Sequence, residues 1–347
     1  MTKPHWRLPA EWAPQSAVLL AWPHAGTDWA ERLASVETTY AALVKAITRF
    51  EPVLLAVASP EIRAHASALL SAEAVDLNAV HWVPADYDDT WLRDSGPITL
   101  RSTDGDSCLL DFRFTGWGGK FEAGRDDALV EQLRAAGVFG AAQHERIDFA
   151  LEGGAIDVDG EGSLLSTWHC LHERHPDASR EAIETTLLGS LRQDRLLWLE
   201  HGYLEGDDTD AHIDTLARFA SPTRIVYQAC DDPGDSHYAE LRAMGEELAN
   251  LRTTAGQPYE LFALPWAKPI LDEGRRLAAS YANFLFINGA VLMPAYGDPA
   301  DIKAAEVLAR AFPDREVVPV PCRPLIWQNG SLHCISMQLP EGVLHVE

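Results

Sequence analysis

Apolar residues along the chain fall into short unbroken runs that alternate with stretches of helical spacing. The run within Trp12–Pro23 suits a buried strand, and from about Glu31 to Phe50 the residues Val36, Tyr40, Leu43, Val44 and Ile47 recur at helical intervals. Val53–Ala58 predicts a second buried strand. Pro60–Leu70 predicts a second helix opened by proline, whose missing N–H is an orphan in the first turn anyway. Further helices are predicted over about 126–136, 179–191, 238–249 and 299–311, with buried strands at Leu196–Leu199, from Ile225, at Tyr259–Leu264 and at Val317–Val320. Leu151–Thr167 alternates about Asp159-Gly160-Glu161-Gly162 and predicts a β-hairpin. Strand and helix in regular alternation predict an α/β protein.

A second pattern is laid over the first. Ser95-Gly96-Pro97-Ile98, Gly153-Gly154-Ala155-Ile156, Asn288-Gly289-Ala290-Val291 and Asn329-Gly330-Ser331-Leu332 each put glycine ahead of an apolar stretch that reads as a strand. Repetition at this interval predicts modules set around an axis rather than one open sheet. Such modules would aim Asp94, Glu152, the region of His212 and Cys334 at one point. No linker, low-complexity tract or charge run marks a boundary, so a single domain over 1–347 is expected.

Composition narrows the function classes. With 347 residues, 47% hydrophobic and 23% charged, the chain can bury a large core. No apolar run is long enough for a membrane-spanning helix, and the first residues lack the apolar region of a signal peptide, so a cytoplasmic protein is expected. The five cysteines, Cys108, Cys170, Cys230, Cys322 and Cys334, are odd in number and free of Cys-x-x-Cys spacing, which disfavours a disulfide framework or a thiolate zinc site. A net charge of −24, from 28 basic and 52 acidic residues, repels nucleic acid and anionic membranes and favours a small cationic substrate. Acidity also serves solubility.

Five places carry candidate chemistry. Asp86 to Asp94 sets acids among large apolar residues, and a carboxylate beside Trp91 is what an organic cation needs, charge from one and a π face from the other. Phe112–Lys120 has three glycines around Trp117, a backbone that approaches something closely, while no nucleotide-binding glycine pattern follows a strand. Glu152 precedes a double glycine, where an exposed or capping role and a site role weigh equally. His212 and Asp214, two apart, would share a face of a strand but splay on a helix. They read either as a base beside a substrate-holding acid or as a structural histidine. Cys334 is a nucleophile or one more buried thiol, and alone the second is the better bet.

Taken in order, Trp22-Pro23-His24, Trp91 to Pro97, Trp117-Gly118-Gly119-Lys120, Glu152-Gly153-Gly154, Gly206 to Asp214, Asn288 to Val291 and His333-Cys334-Ile335 resemble the agmatine deiminase and bacterial-type peptidylarginine deiminase family of the guanidino-group-modifying (pentein) superfamily. The resemblance implies a five-module α/β propeller of ββαβ repeats. It implies Cys334 as nucleophile and His212 as general acid/base. Glu152, Asp94 and Asp214 match the carboxylates around the guanidinium, and Trp91 and Asp208 fall where the alkyl stem and distal amine are recognised. It also implies agmatine as substrate, no metal or other cofactor, and a homodimer. Deimination of peptidyl-arginine or free arginine is the alternative, and a non-catalytic guanidine-binding protein a further one. One departure stands out: the glycine-rich approach to the cysteine is here Gln328-Asn329-Gly330-Ser331-Leu332.

Overall fold

The computed structural model describes residues 5–345. Six sheets form among them, one of which is only the hairpin of Leu271–Asp272 with Arg275–Arg276. The other five share a single pairing pattern: two antiparallel strands, then a helical crossover to a third strand parallel to the second. In chain order the first is Ile98–Ser102, Ser107–Arg113 and Gln143–Ala150. The second is Asp157–Val158, Ser163–Thr167 and Arg195–Leu199, and the third Ala217–Ser221, Arg224–Gln228 and Glu260–Leu264. Leu285–Ile287, Ala290–Ala295 and Glu316–Pro321 make the fourth. The two ends of the chain make the fifth, in which Met337–Pro340 pairs antiparallel with Gln15–Ala21, which runs parallel to Val53–Val57. A parallel partner demands a crossover of a dozen residues or more, which is why each unit carries a helix at the same place.

The ββαβ repeat expected from the sequence is therefore present, and the protein is mixed α/β. The helices lie close to their predicted spans: Leu33–Ile47, Pro60–Ala72, Leu129–Ala135, Arg180–Leu191, Tyr238–Asn250 and Ala300–Ala311. The first is shorter than its apolar pattern, because a 3-10 turn, Ala30–Arg32, precedes it. Two glycine landmarks need correction. Asn288-Gly289 is the two-residue turn inside the fourth hairpin, since Ile287 pairs with Ala290. Gly330 leads into further turns, and its strand begins only at Met337. What recurs is instead a short turn just ahead of each first strand, helical at Leu92–Ser95, Gly153–Ala155 and Ile213–Thr215 and a simple turn at Ser280–Asn283 and Leu332–Ile335.

Behind these turns a buried ionic network ties the five units together. The Arg218 side chain is fully buried; its Nε donates to Asp157 Oδ2 at 3.1 Å, Nη1 donates to the Phe284 carbonyl at 3.1 Å, and Nη2 meets Glu11. Glu11 also meets Arg93 at 3.4 Å and the His333 ring at 2.9 Å, and accepts from Gln338 Nε2 at 2.8 Å. Charges this deep persist only when paired and hydrogen-bonded, and these pairs span units one to five. No helix among the described residues is long and apolar enough to cross a membrane.

Candidate active site

Each of the five turns sends a polar side chain to the same centre. Leu92–Ser95 carries Asp94, and Glu152 stands immediately before Gly153–Ala155. The double glycine there is required by space: a Cβ on Gly153 would lie 2.2 Å from the Arg93 carbonyl, and one on Gly154 would lie 2.6 Å from His212 Nδ1 and 2.8 Å from Asp94 Oδ1. His212 and Asp214 flank the start of Ile213–Thr215. The tight turn lets both reach the centre, where a regular helix would splay them. It is approached through two left-handed residues, Asp210 and Ala211, held by Asp207, whose carboxylate accepts from Thr209 N at 2.9 Å and Ala211 N at 2.8 Å. The fourth turn brings Asn283 and the fifth Cys334.

The polar atoms interlock. Asp94 Oδ2 accepts from Trp117 Nε1 at 2.9 Å and Oδ1 accepts from Gly154 N at 3.0 Å, with His212 Nδ1 3.7 Å from the same oxygen. His212 Nε2 lies 3.3 Å from Glu152 Oε2, and Arg174 Nε donates to Glu152 Oε1 at 2.8 Å. Asp214 Oδ2 faces His333 Nδ1 at 2.8 Å and Cys334 Sγ at 3.6 Å, while Asp214 Oδ1 is buried without a partner. Asn283 Nδ2 donates to Sγ at 3.2 Å. Cys334 is only 5% exposed, so burial alone does not separate it from a core thiol. Its polar partners do.

Electrostatics follow from this crowding. Burial pushes the Cys334 thiol well above its ordinary range, and Asp214 and Asp94 push it further. Burial, then Asp214 and Glu152, raise Asp94 to about 6 against the pull of His212. Burial opposes charge on His212, but Asp94, Cys170 and Glu152 outweigh it and hold its pKa well above the usual imidazole value. Burial likewise opposes charge on Glu152, yet His212 and Arg174 keep it low. The free site thus holds a protonated imidazole and an unfilled excess of carboxylate around a neutral thiol.

A cleft of about 510 Å³ leads to this centre, lined by Trp91, Trp117, Phe121, Thr209, Trp327–Gly330 and Cys334. Seven acids line it as well, Asp28, Asp88, Asp89, Asp94, Glu122, Asp126 and Asp208, and none of its lining side chains is basic. Asn329 sits in the left-handed region, and Gly330 lies on the Trp91 ring, where a Cβ would come within 2.1 Å of the indole. Asp208 Oδ2 accepts from Asn329 Nδ2 at 2.9 Å, so the unusual approach segment holds the very carboxylate expected to read the substrate tail.

The family of Porphyromonas-type peptidyl-arginine deiminases matches residues 7–340. The chain belongs to that family. Within reach of it, the agmatine deiminase of Stutzerimonas stutzeri (strain A1501) is 35% identical over 359 residues, covering 96% of this chain and 95% of the relative. The solved structure of a Cys-to-Ser variant of C. jejuni agmatine deiminase with substrate bound superposes with a TM-score of 0.90 at 35% identity, covering 99% of this chain and 98% of that one. A Porphyromonas gingivalis protein provisionally named an arginine deiminase superposes with a TM-score of 0.91 at 45% identity, covering 98% and 100%.

In this deiminase-family chain, all seven residues singled out from the sequence lie at the centre or on the cleft wall. Four others were not read from the sequence. Asn283 lacks any motif and was hidden by its neighbour Asn288-Gly289. Arg174 and Cys170 lie on the helix Trp168–Arg174, which no apolar period announced. His333 bridges Asp214 and Glu11. Glu152, Cys170 and His212 each place a donor atom within 4.8 Å of the others, the one such grouping among the described residues. Both Glu152 oxygens already face Arg174 and His212, and a buried guanidinium beside them opposes a divalent ion.

Proposed function

We propose that this protein hydrolyses agmatine to N-carbamoylputrescine and ammonia, a step towards putrescine. The observation that carries the reading is the cleft wall: seven carboxylates and no basic side chain lead to a buried thiol. A dication such as agmatine suits that wall. Free arginine would bring its α-carboxylate among like charges, a repulsion of several kcal/mol at close range. The substrate-bound C. jejuni relative supports the same choice.

In this reading Asp94 and Asp214, the latter through its unpartnered oxygen, grip the guanidinium nitrogens and hold the carbon over Sγ. The incoming cation offsets the carboxylates that oppose the thiolate, so on substrate binding Cys334 releases its proton to solvent and becomes the nucleophile while His212 stays protonated. Sγ of Cys334 adds to the guanidinium carbon, and protonated His212, held by Glu152, gives its proton to the departing ammonia. Neutral His212 then takes a proton from water, whose oxygen attacks the thiouronium carbon; the C–S bond breaks and the carbamoyl product leaves. Trp91 lies along the alkyl stem and Asp208 meets the distal ammonium. No metal or organic cofactor takes part. The reading further takes the enzyme to be a cytoplasmic homodimer, checked by sedimentation and cell fractionation.

The test is a substrate panel at equal concentration: agmatine, free arginine and an arginyl peptide, with ammonia and carbamoyl product measured. The largest kcat/KM is expected for agmatine. A larger value for the peptide or for arginine would overturn the substrate assignment.

A further inference from the structure

The departure at Asn329 from a glycine-rich approach has a partner in a part of the chain that the mechanism above does not use. The small sheet of Leu271–Asp272 with Arg275–Arg276 turns through two left-handed residues, Glu273 and Gly274, and belongs to none of the five units. An isolated two-stranded hairpin is marginal in water, so its anchors decide where it sits. Asp272 accepts from Arg32 Nη2 at 2.6 Å, and the Arg32 guanidinium lies 4.2 Å from the centre of the Trp327 ring. Arg276 pairs with Asp235 at 2.6 Å. On the other side, a Cβ on Gly206 would come within 2.4 Å of the Arg276 carbonyl oxygen. The hairpin is thus wedged between the loop that carries Asp208 and the segment that carries Asn329.

A chain of three polar groups joins the two. Arg275 Nη1 donates to Asn329 Oδ1, Arg275 Nη2 donates to the Trp327 carbonyl at 2.5 Å, and Asn329 Nδ2 donates to Asp208 Oδ2 at 2.9 Å. A guanidinium only donates and a carboxylate only accepts, so the amide between them has one orientation. We infer that Arg275 and Asn329 are positioning residues for the tail of the substrate: the hairpin's guanidinium fixes the Asn329 amide, which fixes Asp208 as the acceptor for a terminal ammonium. This rests on the reading of Asp208 as the amine site. A neutral amide suits the task. Arg275 lies outside the cleft, on a neighbouring hollow that shares Asp28, Trp327 and Gln328 with it, so the cleft wall stays free of positive charge. An arginine paired directly with Asp208 would occupy the carboxylate meant for the substrate. Without a donor, burial and the neighbouring Asp207 would favour the protonated form of Asp208, and the bond from Asn329 opposes both. Glycine at position 329 would make the same left-handed turn, with φ of 72°, and leave Asp208 without this partner.

That last property gives the test, since Asn329→Gly deletes the amide and keeps the backbone. Agmatine and butylguanidine, which lacks the terminal ammonium, are compared as substrates of the wild type, Asn329→Gly, Arg275→Ala and the double variant. For agmatine, KM is expected to rise about 10-fold in Asn329→Gly and about threefold in Arg275→Ala, with a smaller change in kcat. For butylguanidine, kcat/KM should change less than about threefold throughout. Because Arg275 acts through Asn329, the double variant should match Asn329→Gly alone. A merely structural hairpin would lower Tm and harm both substrates alike. Equal losses for the two compounds, or losses that multiply in the double variant, would overturn the inference. If the wild type does not distinguish the two compounds, the amine-site reading fails, and a readout without substrate decides on the relay. The Asp208 carboxyl midpoint, followed by 13C NMR with Asp208→Asn as the assignment, should rise by about one pH unit in Asn329→Gly. An unmoved midpoint there would overturn the relay by itself.

Discussion

Asp208 shows how one residue divides the work of recognition. Its carboxylate lies on the cleft wall, away from the sulfur, and is held by Asn329. Asp208→Asn is expected to lower kcat/KM for agmatine about 10- to 100-fold, chiefly through KM, because a charge-assisted hydrogen bond to the distal ammonium is lost. Butylguanidine, which lacks that ammonium, should lose less than about threefold on the same scale. Equal losses for the two compounds would move the amine site elsewhere. The acids also set a pH dependence. Burial raises Asp89 and Asp126 to about 7 and Asp94 to about 6, so protons occupy part of the empty cleft at neutral pH. A cation binds the ionised forms, so agmatine affinity should rise as pH increases from about 5 to 8, with protons released on binding. Calorimetry on Cys334→Ser in buffers of different ionisation enthalpy measures both, and affinity that falls over this range would contradict the assignment of these acids to the cleft wall.

At the scale of elements, the sequence was legible wherever a periodic apolar pattern decided the structure. The long crossover helices have such patterns, as do the second and third strands of every unit but the first, where Ser107–Arg113 and Gln143–Ala150 were not read as strands; the short turns that aim the central side chains do not. Glu152 and His212 could be singled out only with their neighbours, because the space that makes Gly153 and Gly154 obligatory is made by Arg93, Asp94 and His212 from other units. Asn288-Gly289 does stand ahead of a strand, Ala290–Ala295, but as a hairpin turn inside the fourth unit rather than at its start, since a two-residue asparagine–glycine loop serves both descriptions equally well. Asn283, five residues earlier and without a glycine, holds the position. Capping is a local matter by contrast: Ser59 Oγ accepts from Ile62 N at 3.2 Å ahead of Pro60. Ser59→Ala should cost about 1 kcal/mol in a denaturant titration and leave kcat unchanged, being remote from the cleft. Near Cys334 the outcome differs. Gly330→Ala must displace the Trp91 ring, so a loss of agmatine turnover larger than the loss of stability is expected from paired kinetic and melting measurements.

For the whole molecule, the two chain ends close the fifth sheet, so the cysteine near one end sits beside strands built from the other. The network behind the site is what sequence could not reveal, since Glu11, Arg93, Asp157, Arg218 and His333 are spread over the full length and meet only when all five units assemble. Arg218→Ala would strip the partner from Asp157 and Glu11 in the interior and should destabilise the fold by about 3–5 kcal/mol, read from the denaturant midpoint. A change below about 1 kcal/mol would mean that the units do not depend on that centre. The central claim is that the converging turns make Cys334 the nucleophile of a guanidine hydrolase, and rapid acid quench followed by intact-mass and peptide analysis tests it most directly. On mixing with agmatine, an adduct with the mass of agmatine less ammonia should appear on Cys334 and decay as N-carbamoylputrescine accumulates. Full turnover by Cys334→Ala, or an adduct mapped to another residue, would contradict it.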